Sequence, residues 1–182
     1  MDDFIFTFKK DGKTYSISGE ELKKFEVDDG QTGGDNGNSE NDYTPYSQMD
    51  PRWKNIKLGN GRTTIGTHGC FVACLAMIDG RTPDVINKVL RENNAFYIDL
   101  VKSPEAAKAL NLEYKGKDYD ISNMPEYSPS IKEVKYGSAG TQHFVLRIIK
   151  NGVRYIIDPI DGKQKAINYY PFVSYRLFKK KD

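Results

Sequence analysis

Gly66-Thr67-His68-Gly69-Cys70-Phe71-Val72-Ala73-Cys74-Leu75-Ala76-Met77 joins a glycine-punctuated loop to an apolar, helix-competent run, with a cysteine at the junction. The first turn of a helix has unpaired N–H groups and the positive end of the dipole, so a thiol placed there is driven towards thiolate. The glycines ahead of it allow the chain to turn sharply into the helix. The rest of the sequence reads as supplying Cys70 with a base, an orienting group, an oxyanion donor and a cleft.

Downstream, the helix opened by Cys70 is expected to end at Asp79-Gly80, with Gly80 as C-cap. Thr82-Pro83 caps and starts a second helix, whose Val85, Ile86, Val89 and Leu90 make one apolar face up to about Asn93. Ser103-Pro104 repeats that start signal for a short helix through Leu110. The pattern then changes to strands: 131–136, 142–149, a Lys150-Asn151-Gly152 hairpin turn, 153–157, 165–168 and 172–178. Helices first and an antiparallel sheet second define an α+β fold.

Upstream, Tyr46 opens the main domain, Asp50-Pro51-Arg52-Trp53 holds the one tryptophan, and Gly59-Asn60-Gly61 marks a turn. Residues 27–44 are rich in Gly, Asn and Asp, have almost nothing to bury, and read as a flexible linker. Before them, Phe4, Phe6 and Phe8 alternate along a strand, Asp11-Gly12 signals a hairpin, and 20–25 suit a short helix. The expected organisation is a small ββα docking module over 1–26, the linker over 27–44, and the main domain over 45–182.

The 182 residues carry a net charge of +2, and 38% are apolar. Near-neutrality argues against a nucleic-acid partner, and Lys179-Lys180-Lys181 reads as a solvated tail. The two cysteines, Cys70 and Cys74, are not a disulfide framework. Met1-Asp2-Asp3 shows no basic and apolar leader, and no apolar run approaches the ~20 residues of a membrane span. Synthesis in a reducing cytoplasm without a signal peptide, and no membrane partner, are the expectation.

Cys70 needs a base, and the chain has two histidines. His68, two residues away, is too close in sequence to face it readily. His143 lies in the strand Gln142-His143-Phe144-Val145-Leu146. Centring the following hairpin near Asn151 sets 143 opposite about 159, within reach of Asp158. A carboxylate that orients a catalytic histidine completes a triad of Cys70, His143 and Asp158. The Cys70 N–H and the Gln48 amide are candidate oxyanion donors. Beside these stand plainer readings: an inert cysteine packed in a helix, a core histidine, an Asp-Pro turn and a surface glutamine. Cys74, one turn on, reads as buried packing. A zinc site from His68, Cys70 and Cys74 lacks a second ligand pair, so neither metal nor organic cofactor is expected.

The segments Tyr46-Ser47-Gln48-Met49-Asp50-Pro51-Arg52-Trp53, Thr64-Ile65-Gly66-Thr67-His68-Gly69-Cys70 and Leu75-Ala76-Met77 resemble the amino-terminal signature of the bacteriocin-processing-type (family C-thirty-nine-like) cysteine peptidases, in particular their stand-alone bacterial and phage branch. Gln142-His143-Phe144-Val145-Leu146 and Ile156-Ile157-Asp158-Pro159-Ile160-Asp161-Gly162 are similar to that family's histidine and aspartate motifs, in the same order. The resemblance covers about residues 45–165. It implies a papain-like fold with Cys70 as nucleophile, His143 as base, Asp158 as orienter and Gln48 at the oxyanion. Cys74 stands where the family commonly has a small hydroxyl residue, and Gln142 where it has glycine.

The expected function is therefore a cysteine peptidase or amidohydrolase acting on a protein segment or a peptidoglycan peptide. Residues 1–26 would anchor it to a protein partner, and a phage virion-associated or lytic setting fits that architecture. The alternative is an inactive papain-fold structural or binding protein, anchored through the same module.

Overall fold

The computed structural model describes residues 5–10, 13–18, 43–120 and 129–181. The chain divides into two compact units, Met1–Asn38 and Ser39–Asp182. In the first, β1 (Ile5–Lys10) and β2 (Lys13–Ser18) pair antiparallel, from Ile5↔Ser18 to Lys10↔Lys13. The Asp11-Gly12 turn, the helix expected over 20–25 and the linker through 42 lie outside the described residues.

The second unit is α+β. It runs through α1 (Ile65–His68), α2 (Cys70–Asp79), α3 (Pro83–Glu92), the two-residue strands β3 (Phe96–Tyr97) and β4 (Leu100–Val101), and α4 (Ser103–Ala109). Then come β5 (Leu112–Asp118), β6 (Ser130–Tyr136), β7 (Thr141–Lys150), β8 (Val153–Asp158), β9 (Lys163–Ala166) and β10 (Phe172–Lys180). These six form one antiparallel sheet in the order β5-β10-β6-β7-β8-β9. No helix among the described residues is long and apolar enough to cross a membrane.

Several details differ from the sequence reading. α1 is helical where a loop is expected ahead of Cys70, and the β3–β4 pair is not expected. β5 was not expected, because charges interrupt its alternation and Gly116 sits at a φ of +103°. Its presence makes β10 an interior strand. β9 begins at Lys163 rather than 165, because Gly162, at a φ of +71°, closes the turn directly after Asp161. α4 is entered one residue early, with Lys102 rather than Ser103 in the N-cap position.

α2 organises the core. Every residue from Phe71 to Ile78 is buried, as a helix apolar all round must be. Each fully buried Leu or Ile there contributes about 1.5–3 kcal/mol against leaving it in water. Phe71 meets Phe144 of β7 edge to face at 4.8 Å, so the start of the helix is seated on the sheet. Gly80, at a φ of +96°, ends the helix in the left-handed conformation and returns its N–H to the Ala76 carbonyl.

Candidate active site

Thr64 and Thr67 cap α1 reciprocally, each side-chain oxygen accepting the other's backbone N–H. The helical ladder then stops at Gly69. A Cβ on Gly69 would lie 2.4 Å from the Ile65 carbonyl oxygen, so no other residue fits this turn without moving it. Cys70 therefore opens α2 afresh, in the first turn, where N–H groups have no intrahelical acceptor. In a continuous helix the Gly66 carbonyl would take the Cys70 N–H. Instead it accepts Gln48 Nε2 at 2.8 Å. Cys70 is part-exposed, whereas Cys74 is fully buried, and burial pushes its thiol well above the ordinary value.

His143 is brought in by the β7–β8 hairpin. Asn151 and Gly152 have φ of +50° and +73°, the signs of a two-residue type I′ turn. The turn is centred between them, giving Leu146↔Ile157 and Arg147↔Ile156. Continued, that register sets Val145 opposite Asp158, so His143 is its diagonal neighbour. The expected pairing, with 143 opposite 159, is off by one because it centred the turn on Asn151. The same-face relation of 143 and 158 is what brings the side chains together. β7 pairs with β6 back to Thr141 but with β8 only from Leu146, so the two hairpin strands part at this end.

His143 Nε2 lies 2.8 Å from Asp158 Oδ1. Asp158 is 0% exposed and His143 4%. Asp158 Oδ1 also accepts the Ile160 N–H at 3.0 Å, while Oδ2 accepts Lys165 Nζ at 2.6 Å and the Tyr170 hydroxyl at 2.5 Å. Burial opposes the carboxylate's charge, but these donors, His143 first, hold its pKa well below the usual range. Burial likewise opposes charge on His143. The Asp158 hydrogen bond and then the Cys70 side chain outweigh it and raise the imidazole to about 9. Since Asp158 occupies Nε2, Nδ1 is the ring nitrogen left to exchange a proton with Cys70. The rings of Tyr136 and Tyr170 stand 5.3 Å and 6.0 Å from the imidazole and wall it in.

Gln48 is 3% exposed. Its backbone N–H donates to the Pro159 carbonyl at 2.6 Å, and the Ser47 hydroxyl donates to the Ile160 carbonyl at 2.9 Å. The segment before the helices is thus fastened to the turn that follows Asp158. Turning the Gln48 amide over would set its oxygen against the Gly66 carbonyl, so the hydrogen bond fixes its orientation. One Nε2 hydrogen is used on Gly66, and one remains.

A cleft of about 590 Å³ is lined by Gln48, Cys70 and His143, with exposed His68 on its rim. Cys70, His143 and Gln48 converge on this cleft, and Asp158 backs His143. Gln142 also lines the cleft, its amide tied to Glu133 Oε1 at 2.7 Å. Among the described residues, no group of three or more His, Cys, Asp or Glu side chains is placed to hold a metal ion. The sequence reading missed Lys165, Tyr170 and Tyr136. Lys165 had a usable signal: a short hairpin after Asp158 brings 163–165 back beside it, and the observed register pairs Asp158 with Lys163. Tyr170 lies beyond β9, and no local pattern marks it. Comparison with protein-family models and with curated proteins finds no match to this chain.

Proposed function

We propose that the Ser39–Asp182 unit is a papain-like cysteine peptidase or amidohydrolase that cleaves an amide bond in a protein segment or a peptidoglycan peptide. One observation carries the reading: a part-exposed cysteine opening a buried helix meets a histidine whose far nitrogen is held by a fully buried carboxylate, all at one cleft. With its pKa at about 9, His143 holds a proton at neutral pH. An imidazolium beside a thiol at a helix N-terminus is the arrangement that generates a nucleophilic thiolate.

In the reaction, Cys70 Sγ attacks the scissile carbonyl carbon. The Cys70 N–H and the remaining Gln48 Nε2 hydrogen stabilise the oxyanion. His143 gives its proton to the departing amine, breaking the C–N bond and leaving a thioester. Water, deprotonated by His143, then hydrolyses the thioester, releasing a carboxylic acid and restoring the thiol. Asp158 keeps the ring oriented throughout.

Residues 1–26 serve in this reading as an anchor to a protein partner, and a virion-associated or lytic phage enzyme is the setting that suits such a tether. The test is turnover of purified peptidoglycan and Gly-containing peptides by the full chain and by Cys70→Ala. Turnover by the wild type, abolished in a folded Cys70→Ala, is the expected result. Turnover that survives the substitution refutes the mechanism, and a folded wild type that labels poorly at Cys70 and cleaves neither substrate favours the binding-protein alternative.

A further inference from the structure

The sheet carries a polar cluster beside the cleft that the proposed chemistry does not use. Glu133 of β6 is nearly buried, accepts Gln142 Nε2 and the Ser174 hydroxyl, and forms an ion pair with Arg176 Nη1 at 3.0 Å. Lys117 Nζ lies 3.5 Å from the same carboxylate. Burial works against the charge on Glu133, but its donors hold the pKa down at about 2. One fixed anion thus faces two cations, leaving an excess positive charge. The cations also sit opposite one another in the β5–β10 ladder, Arg176↔Lys117, a placement that costs stability between like charges.

Arg176 is the charged member that lines the cleft. Its Nη1 donates to Ser174 Oγ at 2.7 Å and faces Glu133, and its guanidinium lies 5.6 Å from the Phe144 ring centroid. Among the described residues its Nε and Nη2 have no acceptor. The side chain is 15% exposed, so it is held in place rather than waving in solvent. Gln142, beside it on the cleft wall, is pinned through one Nε2 hydrogen and keeps another. A partly desolvated guanidinium edge with an adjacent amide donor matches a carboxylate.

We infer that Arg176 and Gln142 form a carboxylate-binding subsite in the cleft, so that the preferred substrate carries an acidic side chain close to the bond that Cys70 attacks. The inference rests on the cysteine-hydrolase reading and names its substrate class. Glu133, Ser174 and Lys117 act behind the subsite, fixing the guanidinium and supplying the charge excess.

Paired peptidyl chloromethyl ketones test this, identical except for Glu or Gln at the first, second or third residue from the reactive group. The second-order rate of Cys70 labelling is followed by intact mass on the full chain. At one position the Glu reagent is expected to label at least about tenfold faster than its Gln twin. Arg176→Gln should bring that ratio below about threefold by slowing the Glu reagent. Gln142→Ala, at an exposed site, should lower the ratio even if Arg176→Gln fails to fold. Ratios near one at all three positions in the wild type, or a Glu preference that persists in Arg176→Gln, overturn the subsite alone. Charge-selective labelling without hydrolysis of any peptide overturns the hydrolase reading alone, and no labelling by either reagent overturns both.

Discussion

Replacing Asp158 with Asn should lower the titration of His143 strongly, because it removes the largest single influence that favours the imidazolium. The imidazole is buried, and burial alone would push its pKa below 6.5, yet it is raised to about 9 by Asp158 and Cys70. The interval from 6.5 to about 9 corresponds to about 3 kcal/mol in favour of the imidazolium. Asn keeps the shape of the Asp158 side chain but removes its charge, so burial is then opposed by Cys70 alone. The midpoint should fall by about 2 or more, to near 7 or below. The chain has two histidines, His68 and His143, so proton NMR of the imidazole Hε1 signals reads it directly, with His143→Gln assigning the peak. The folded value lies above the unfolded one. The stabilisation is therefore whole below pH ~6.5 and is lost as pH rises through about 9. In a Cys70→Ala background, which removes the thiol's own titration, urea unfolding at pH 6 and 9.5 should differ by about 1–3 kcal/mol more with Asp158 than with Asn. A wild-type midpoint below 7, or the same midpoint in a folded Asp158→Asn, would refute the reasoning.

Lys165→Met removes the cation 2.6 Å from Asp158 Oδ2, leaving more of the carboxylate's charge for the ring. The same NMR titration should show His143 moving up, opposite to Asp158→Asn. At pH 6 an unassisted thiol with the free value near 8.5 is only ~0.3% thiolate, so iodoacetamide should label wild-type Cys70 about 10–100-fold faster than His143→Ala. Equal rates, measured with Cys74→Ser in both, would break the Cys–His pairing. Gly69→Ala forces a Cβ to within 2.4 Å of the Ile65 carbonyl oxygen. It should cost about 1–3 kcal/mol in urea unfolding and slow Cys70 labelling, whereas Gly80→Asn, at a left-handed cap with open space around it, should cost less than about 1 kcal/mol.

The helices and most strands were legible because their signals are local. Thr82-Pro83, Gly80 and Asn151-Gly152 each act within a few residues, and the run of β-formers along β7 marks a strand. β5 was not legible, since Glu113, Lys115 and Lys117 hide a strand whose apolar contacts come from β10. Three of the site residues rested on chemistry as much as on pattern: a cysteine at a helix start, a strand histidine, and an aspartate one hairpin away. The hairpin argument reached Asp158 despite a register error of one, because diagonal neighbours remain in reach. Gln48 came from the resemblance and from the need for an amide, not from any feature of its surroundings. The shell around Asp158 was invisible for another reason: Tyr170 gains its role only when the sheet curls the segment after β9 back over β8. Arg176 likewise looks like one more basic residue near the C-terminus until β10 is inserted between β5 and β6.

The fastening of Ser47 and Gln48 to Pro159 and Ile160 bears on when the thiol becomes dangerous to its surroundings. On the proposed function, Cys70 is translated early, while His143, Asp158 and the residues that fasten Ser47 and Gln48 arrive only with β7, β8 and the turn after them. A nascent or half-folded chain therefore exposes an ordinary cysteine. On that proposal, reactivity is switched on by the long-range closure that joins Ser47 and Gln48 to the turn between β8 and β9, so assembly of the fold itself acts as the safety catch.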